Sequence, residues 1–330
     1  MIAVTGANGL LGNIILKKFI SEKIPVIGLQ RVHGGPTSLR NPTQEVEWRE
    51  ADVTNSLALA DALKNIDTVI HTAAVVSFDP RAKERIFQTN VIGTQNIVNA
   101  CLALRIPRLI FISSVAALGR KKGVTEINEE NKWVDSDLNS DYAKSKYLAE
   151  LEVYRGQEEG LSISIVNPSA ILSTANPNKS SSQIFKYVHH ERPFYADGHL
   201  NYVDARDVAE VVYRIYEKKI DGEKFIATAG SINLKELITK IAFRLGKKEP
   251  SIKISPHLLL AAAWLEEMRC KLTGAEALIS RQSVKMPGEK FIYVNQKSIN
   301  RLNMTYRPLD ETLDWCCAYY RNAFTNNKQK

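Results

Sequence analysis

Short apolar runs alternate with longer amphipathic stretches through the first half of the chain. The runs are typical of strands, and the stretches between them carry the apolar spacing of helices. Strands are predicted at Ile2–Val4, Pro25–Leu29, Val46–Ala51, Thr68–His71, Leu109–Ile112 and Ser162–Val166, with helices behind the first strand and at about 56–64, 81–104 and 139–159. Strands that alternate with helices indicate right-handed βαβ units. We therefore predict an α/β fold, a Rossmann-type doubly wound parallel sheet covered by helices on both faces.

The second half of the chain changes character. A stretch rich in Ser, Asn and Pro, Ser173 to Ser182, predicts a loop. Asp204–Glu217 predicts a helix that returns to the sheet ahead of a strand at Lys224–Ala227. Helical patterns then dominate, at Leu234–Leu245, His257–Lys271 and Leu309–Phe324. This half is therefore predicted to add a smaller, mainly helical region to the sheet.

A glycine-rich turn joins the first strand to the first helix. Glycines recur every three residues, at Gly6, Gly9 and Gly12. The other positions of this turn that would line a bound anion are Asn8, Leu10 and Leu11. Glycines let the backbone approach a pyrophosphate, and a helix N-terminus presents free N–H groups at the positive end of its dipole. The spacing differs from the G-x-G-x-x-G of ordinary dinucleotide folds, and a plain turn is the alternative, but the strand–turn–helix setting favours a phosphate site.

The end of the second strand bears on which dinucleotide would bind. In such folds an acidic residue about 20 positions beyond the glycines binds the ribose 2′-hydroxyl, whereas an arginine nearby accommodates a 2′-phosphate. This chain has Gln30 at the acidic position and Arg31 beside it. NADP(H) is therefore preferred and NAD(H) possible, with a solvated surface arginine as the alternative. After the third strand come Asp52 and Val53; Asp52 would either reach the adenine amine or cap the next helix.

Small and polar residues follow the fourth strand. Thr72, Ala73 and Ala74 would let a cofactor approach closely. His71, which precedes them, is expected to be a packed histidine rather than a catalyst. Gly93 lies inside a predicted helix, where glycine costs roughly 1 kcal/mol relative to alanine. It therefore indicates tight packing.

A tyrosine and a lysine share one face of a later helix. Tyr142 and Lys146 stand at i and i+4, and Ser113 and Ser114 close the fifth strand at the edge where the other motifs lie. An ammonium group near a phenol would lower the tyrosine pKa from about 10 and suit it to proton transfer near neutral pH. Tyr-x-x-x-Lys alone is common on helices, so it indicates a catalytic pair only in combination with the other motifs.

Five motifs occur at successive strand ends or on the helices between them. They are Thr5-Gly6-x-x-Gly9-x-x-Gly12, Asp52-Val53, Asn90-Val91-x-Gly93-Thr94, Ser113-Ser114 and Tyr142-x-x-x-Lys146. In this order they resemble the extended short-chain dehydrogenases/reductases, the NAD-dependent epimerase/dehydratase superfamily. Stretches 166–171 and 202–209 carry the resemblance over nearly the whole chain. With Arg31, it looks most like the dihydroflavonol reductase and 3β-hydroxysteroid dehydrogenase-like branch.

The resemblance implies a division of the chain and roles for matched residues. Residues 1–167 plus about 205–230 would form the dinucleotide-binding domain, and about 168–204 plus 231–330 the lid region over the nicotinamide. Tyr142 would be the acid/base, and Lys146 would lower its pKa and hold the nicotinamide ribose. Ser114, five positions before Gly119, would bind the substrate oxygen, which leaves Ser113 structural or facing the cofactor.

The resemblance also implies roles for Asn90 and for the segment after the sixth strand. Asn90 would position the lysine and a relay water, and the cofactor would contact Asn167, Pro168 and Ser169. The expected activity is NADP(H)-dependent reduction of a carbonyl group, or oxidation of the alcohol, in a small organic substrate. Two alternatives stay open: an NAD(P)-dependent nucleotide-sugar epimerase or dehydratase that retains its cofactor, and a non-catalytic NADPH-binding sensor or scaffold.

Composition narrows the class of protein further. The chain has 330 residues, a formal net charge of +8 and four cysteines. The basic residues are scattered, so nucleic acid is not an expected partner. The cysteines lack metal-ligand spacing, so no metal site is predicted and reduced thiols in a cytoplasmic protein are expected. The first strand begins at residue 2 and no apolar run approaches the roughly 20 residues of a membrane span, so neither a secretory signal nor membrane insertion is expected.

Two surfaces leave alternatives. Residues 256–273 combine an apolar body with charges that follow it. They would form either a lid helix packed on the core or a helix on a membrane surface; the lid helix is favoured, because a surface-seeking helix should carry more cations beside its apolar face. The helices at 81–104 and 139–159 would form a homodimer interface, as is common in the family it resembles.

Overall fold

The protein is built on a parallel sheet of seven strands. The computed structural model describes residues 1–31, 46–120, 123–136, 139–177, 180–273 and 291–326. Its strands are β1 (Ile2–Thr5), β2 (Val26–Gln30), β3 (Glu47–Glu50), β4 (Thr68–His71), β5 (Arg108–Ile112), β6 (Glu126–Ile127), β7 (Ser162–Pro168), β8 (Ala170–Leu172), β9 (Phe194–Tyr195), β10 (His199–Asp204), β11 (Glu223–Ala227), β12 (Gly230–Asn233), β13 (Ile252–Lys253) and β14 (Ile292–Tyr293). The order β11-β7-β5-β4-β1-β2-β3 confirms the predicted doubly wound sheet.

Helices cover both faces of this sheet. They are α1 (Leu10–Ser21), α2 (Ser56–Ala62), α3 (Lys83–Phe87), α4 (Gly93–Ala103), α5 (Asp141–Glu158), α6 (Gln183–His189), α7 (Ala205–Glu217), α8 (Leu234–Leu245), α9 (Pro256–Thr273), α10 (Gln296–Leu302) and α11 (Leu309–Asn326). On one face Ile15 and Phe19 of α1 and Val212 of α7 are fully buried. On the other, Leu59 of α2 and Val153 of α5 are fully buried.

The stretch predicted as one helix over 81–104 is interrupted. A 3₁₀ turn at Pro80–Ala82 leads into α3, and a π-helical segment, Gln88–Ile92, separates α3 from α4. Gly93 starts α4 where a Cβ would lie 2.7 Å from Cγ2 of Val53. The expected tight packing at Gly93 is therefore confirmed, because any side chain there would collide with the segment after β3.

A second, small sheet lies in the part of the chain predicted to be mainly helical. Its order is β12-β10-β8, and it packs with α6, α8 and α11 around Phe185, Leu237 and Tyr320. The pattern missed β8 and β12 because β8 has only three residues and β12 is mostly polar. Residues 274–290 of the predicted lid region lie outside the described residues.

Helix α9 is exposed rather than packed on the core. Leu258 is 66% exposed, Trp264 49% and Leu265 60%, whereas Ala263 is buried. The predicted core-packed lid helix is therefore wrong for these residues, since the side chains that would have packed face outward. Across the described ranges, no helix is long and apolar enough to cross a membrane.

Candidate active site

The glycine loop after β1 is too tightly packed for side chains. Gly6 has φ +62°, and a Cβ there would lie 2.8 Å from Cα of Ala73. A Cβ on Gly9 would lie 2.9 Å from the Gly6 carbonyl oxygen, and one on Gly12 only 2.3 Å from the same atom. The three predicted glycines therefore fold the chain into a close turn that β-carbons would open.

The start of α1 suits a phosphate group. Its N-cap, Gly9, has no side chain to accept from the first N–H groups, and its first turn contains no acidic residue. Unsatisfied N–H groups at a helix N-terminus bind anions. Leu11 is buried, whereas Asn8 and Leu10 are half-buried and flank this turn. The loop therefore fits the pyrophosphate of a dinucleotide on the chemistry of its own donors.

The end of β2 lies beside this loop. Thr5 pairs with Leu29 in the parallel register, and the Ala7 amide donates to the Leu29 carbonyl over 3.3 Å. Arg31, two residues further on, is exposed. An exposed arginine at this edge is free to approach a group bound at the glycine loop.

Asp52 does not cap the next helix. Its Oδ1 accepts from the amide and hydroxyl of Thr54, over 2.9 and 2.7 Å. The cap of α2 is Asn55, whose side chain accepts from the Ala58 amide. The capping alternative is therefore wrong, because Asn55 occupies the capping position. The adenine alternative stays a prediction, with Val53 buried beside it.

A buried histidine ties the fourth strand to its neighbours. His71 Nδ1 lies 2.7 Å from Thr5 Oγ1 and its Nε2 lies 3.1 Å from Thr94 Oγ1. The Thr94 hydroxyl donates to the Asn90 carbonyl, so it accepts from Nε2, and Nδ1 accepts from Thr5. Burial, assisted by the Lys146 charge, lowers the pKa of His71 to about 3. The expectation of a packed histidine is thus confirmed.

The small residues after β4 close against the glycine loop. The Ala73 amide donates to Thr5 Oγ1 over 3.2 Å, and the Thr72 hydroxyl donates to the Thr5 carbonyl over 2.6 Å. Thr72, Ala73 and Ala74 are all half-buried. They therefore lie against the glycine loop and, together with it, form the candidate cofactor cradle, residues 6–12 and 72–74.

Ser114, Tyr142 and Lys146 meet at the carboxyl end of β5. The Ser114 side chain accepts from the Ala116 amide over 3.1 Å, and Ser114 is close enough to Tyr142 to lower the pKa of its hydroxyl. Lys146 is buried, and its Nζ donates to the Ile112 carbonyl over 2.7 Å. The edge of the Phe78 ring faces Tyr142 at 6.3 Å between ring centres. The predicted trio is therefore one cluster.

The pKa values in this cluster differ from the expectation for tyrosine. Burial raises the pKa of Tyr142 to about 12, although the Ser114 hydrogen bond opposes this. Burial lowers the pKa of Lys146 to about 7, although Glu150 opposes it. Lys146 does not lower the tyrosine pKa here, because its ammonium group is directed at the Ile112 carbonyl. The Tyr142 hydroxyl therefore keeps its proton at neutral pH.

A buried carboxylate below Lys146 was missed at the sequence level. Glu150 is 2% exposed, and its oxygens accept from Asn167 over 2.7 Å and from Lys224 over 2.6 Å. The Asn167 amide also donates to the Ser114 carbonyl over 2.9 Å. The sequence did contain a sign of this carboxylate, since Glu150 continues the four-residue spacing of Tyr142 and Lys146 along α5. Asn167 thus supports the Ser114 loop from below with its amide nitrogen.

Asn90 occupies the middle of the π-helical segment. Its Oδ1 accepts from the Val75 amide over 2.7 Å, and its Nδ2 donates to the Val75 carbonyl and to Ser145 Oγ, both over 3.0 Å. Ser145 in turn donates to the Tyr142 carbonyl. Asn90 thus joins the segment after β4 to the helix that carries Tyr142, and its predicted part in placing a water stays a prediction.

Three polar side chains near the ends of β5 and β7 have buried atoms without a hydrogen-bond partner. They are Ser113 Oγ, Asn167 Oδ1 and Ser169 Oγ. Pro168 stands between two of them and pairs with Ala227 of β11. Buried polar atoms of this kind are normally satisfied. Their clustering at the carboxyl edge fits the predicted contact of this segment with a bound cofactor.

Known proteins are similar to this chain in sequence and in fold. A model of the NAD dependent epimerase/dehydratase family matches residues 2–227. A Synechocystis protein provisionally named dihydroflavonol 4-reductase is 26% identical over 97% of this chain and 94% of its own. Cinnamoyl-CoA reductase 1 of Petunia hybrida is 28% identical over 66% of this chain and 69% of its own.

A solved structure agrees with the fold over nearly the full length. Yeast methylglyoxal/isovaleraldehyde reductase, crystallised with NADPH, superimposes with a TM-score of 0.76 at 20% identity. The alignment covers 98% of this chain and 99% of the yeast chain. The family match spans the glycine loop, the Ser114 loop and both Tyr142 and Lys146.

Proposed function

The chain belongs to the NAD-dependent epimerase/dehydratase family, the extended short-chain dehydrogenases/reductases, and on this basis we propose that it reduces a carbonyl group of a small organic substrate with NADPH. It is an NAD(P)-dependent oxidoreductase by family. The observation that carries the reductase proposal is the meeting of Ser114, Tyr142 and Lys146 at the same sheet edge as the glycine loop. Reductases among its relatives support the direction of the reaction.

The protein's part in the reaction is proton donation and orientation. When bound, NADPH supplies the hydride. Tyr142 is protonated at neutral pH because burial raises its pKa to about 12, so its hydroxyl donates a proton to the carbonyl oxygen. Ser114 acts on the same hydroxyl, whose pKa it lowers against the effect of burial. A carbonyl oxygen held between both hydroxyls gains a second donor as its negative charge develops.

Lys146 orients the cofactor. An ammonium group has three N–H donors, and one of them is used by the Ile112 carbonyl. The other two remain for the hydroxyls of the nicotinamide ribose. Glu150 raises the pKa of Lys146 against the effect of burial, so the carboxylate supports the charged form that this binding needs.

A substrate screen with both cofactors tests the proposal. Carbonyl compounds of several classes are incubated with NADPH and, separately, NADH, and cofactor oxidation and product are measured. Net consumption of NADPH with formation of an alcohol supports the reductase. Conversion of a nucleotide sugar without net cofactor consumption would replace it by an epimerase or dehydratase. Cofactor binding with no turnover of any compound would leave the non-catalytic sensor or scaffold.

Preference for NADPH, a cytoplasmic location and a homodimer belong to the same proposal. Arg31 supports the preference, and the yeast reductase was crystallised with NADPH. The helices proposed for the dimer interface carry exposed apolar residues, Ile92 at 38% and Leu151 at 44%. Light scattering after gel filtration measures the dimer, and cell fractionation measures the location.

A further inference from the structure

At the end of the loop that carries Ser114 lies a buried arginine for which the described residues supply no anionic partner. Arg120 is 7% exposed, and its Nε donates to the Tyr293 hydroxyl over 3.1 Å. Its guanidinium carbon lies 5.8 Å from the centre of the Phe291 ring. Within the described part of the chain, Nη1 and Nη2 make no hydrogen bond and no carboxylate forms an ion pair with them. Buried charges are normally paired, so this arrangement points to a ligand.

The guanidinium group is fixed relative to Ser114. Val115 and Leu118, from the same loop, pack in one buried cluster with Phe291 and Tyr293. The Phe291 carbonyl accepts from Asn201 of β10 over 2.8 Å, which ties the cluster to the small sheet. The two Nη atoms are not sealed from solvent. The position of this charge is therefore set by packing rather than by a flexible side chain.

We infer that Arg120 binds an anionic group, a carboxylate or phosphate, on the carbonyl substrate. This inference rests on the proposed reductase function and names the substrate class. A guanidinium group presents two parallel N–H donors that match two oxygens of either anion. Tyr293 holds Nε and thereby directs the Nη edge, while the Phe291 ring covers the flat face. A substrate bound in this way has its anionic end at Arg120 and its carbonyl at Ser114 and Tyr142.

Matched substrate pairs test the inference. The probes are 4-formylbenzoate against its methyl ester, and 4-formylphenyl phosphate against 4-methoxybenzaldehyde, so that each pair differs in the anionic group. The ratio of kcat/KM within each pair is measured with NADPH for the wild type and for Arg120→Gln. We expect the wild type to favour one anionic member by roughly tenfold to a hundredfold and Arg120→Gln to bring that ratio close to one. The pair that shows the preference distinguishes carboxylate from phosphate.

Two further variants test whether a change in the kcat/KM ratio is specific to the Arg120 guanidinium group. Arg321→Gln removes an exposed arginine of α11 and should keep the wild-type ratio. Tyr293→Phe keeps the buried ring but removes the hydroxyl that holds Nε, and should lower the ratio without abolishing it. Equal ratios in the wild type and Arg120→Gln would overturn the inference, as would an equal loss in Arg321→Gln.

Binding measured without turnover separates this inference from the reductase proposal. Benzoate and phenyl phosphate are titrated calorimetrically into the wild type and Arg120→Gln in the absence of substrate. Anion binding that Arg120→Gln abolishes supports the site even if no carbonyl compound is reduced, in which case only the reductase proposal fails. Reduction of carbonyl compounds with no preference for an anionic member and no anion binding overturns the site and leaves the reductase proposal standing.

Discussion

At the scale of single residues, burial moves the pKa of Tyr142 up to about 12 and the pKa of Lys146 down to about 7. Tyr142 keeps its proton because burial raises its pKa to about 12. Lys146 donates to the Ile112 carbonyl rather than to the phenol, so its charge acts on what binds beside it. Arg31 is exposed just beyond the end of β2, the strand that pairs with β1 ahead of the glycine loop.

Replacing Tyr142 with Phe should abolish turnover and spare cofactor binding. The change removes only the hydroxyl, and loss of a general acid costs roughly 10²- to 10⁴-fold in rate. Turnover is measured by NADPH oxidation and binding by fluorescence titration. Tyr147→Phe is the control, because Tyr147 lies on the same helix stacked on Trp133 at 4.5 Å. Retained turnover in Tyr142→Phe would exclude this residue as the acid.

Replacing Arg31 with Glu should weaken NADPH binding and leave NADH binding nearly unchanged. Only NADPH carries the 2′-phosphate, and losing a charge-assisted contact while adding a negative charge should raise its dissociation constant by roughly tenfold to a hundredfold. Calorimetric titration of both cofactors measures the difference. A Lys17→Glu variant in α1, which makes the same charge change, serves as the control. Equal weakening of both cofactors would contradict the assignment of Arg31 to the phosphate.

At the scale of elements, α5 joins the site to the far edge of the sheet. Tyr142, Lys146 and Glu150 follow one another at four-residue intervals along this helix. Glu150 accepts from Lys224 of β11 and from Asn167 of β7. The helix face that carries Tyr142 and Lys146 at its start is thus anchored by a buried ion pair two turns after Tyr142.

Replacing Glu150 with Ala should destabilise the protein strongly. It leaves the Lys224 ammonium and the Asn167 amide without their buried partner, and breaking a buried pair in this way costs about 3–5 kcal/mol of unfolding free energy. Urea unfolding measures the change. Glu152→Ala on the same helix is the control, because Glu152 pairs near the surface with Arg155 and such pairs contribute about 0–1 kcal/mol. Similar losses in both variants would show that the burial of Glu150 is not the cause.

Elements whose local sequence has a clear apolar pattern were predictable, and those defined by tertiary contacts were not. Thr68–His71 and Leu234–Leu245 have the predicted bounds, because their apolar spacing meets one continuous core. The π-helical segment at Asn90 follows from hydrogen bonds to Val75 and Ser145, which local spacing does not encode. The partners of Asn167 and Arg120 likewise lie on other elements of the fold. The site motifs were therefore predictable from the sequence, whereas the residues that hold them in place were not.

At the scale of the whole molecule, His71 connects three elements around the cofactor cradle. It bridges Thr5 of β1 and Thr94 of α4 from the end of β4. Its neutral form is built into this arrangement, since Thr5 donates to Nδ1 and Thr94 accepts from Nε2. A proton on Nδ1 would therefore oppose the network and add a charge near Lys146.

The free energy of unfolding should consequently fall with acidification below pH 6.5. The unfolded chain takes up a proton on this histidine near pH 6.5, whereas the folded protein stays neutral there until about pH 3. The unfolded state thus binds more protons in this window, and a single such proton lowers stability by about 1.4 kcal/mol per pH unit. Urea unfolding at several pH values should show a shallower slope for His71→Gln than for the wild type. His199→Gln, at an exposed position, should keep the wild-type slope.

The position of β11 has a consequence for biosynthesis. This strand pairs with β7 at one edge of the large sheet, yet α6, β8, β10 and α7 are all synthesised between the two. A nascent chain on the ribosome therefore presents the apolar β7 with an open edge, the kind of edge that pairs with other chains. Synthesis must pass Ala227 before β11 can pair with β7 and complete the sheet. A chain cut or stalled near Asp204 would therefore be a substrate for chaperones rather than a folded fragment.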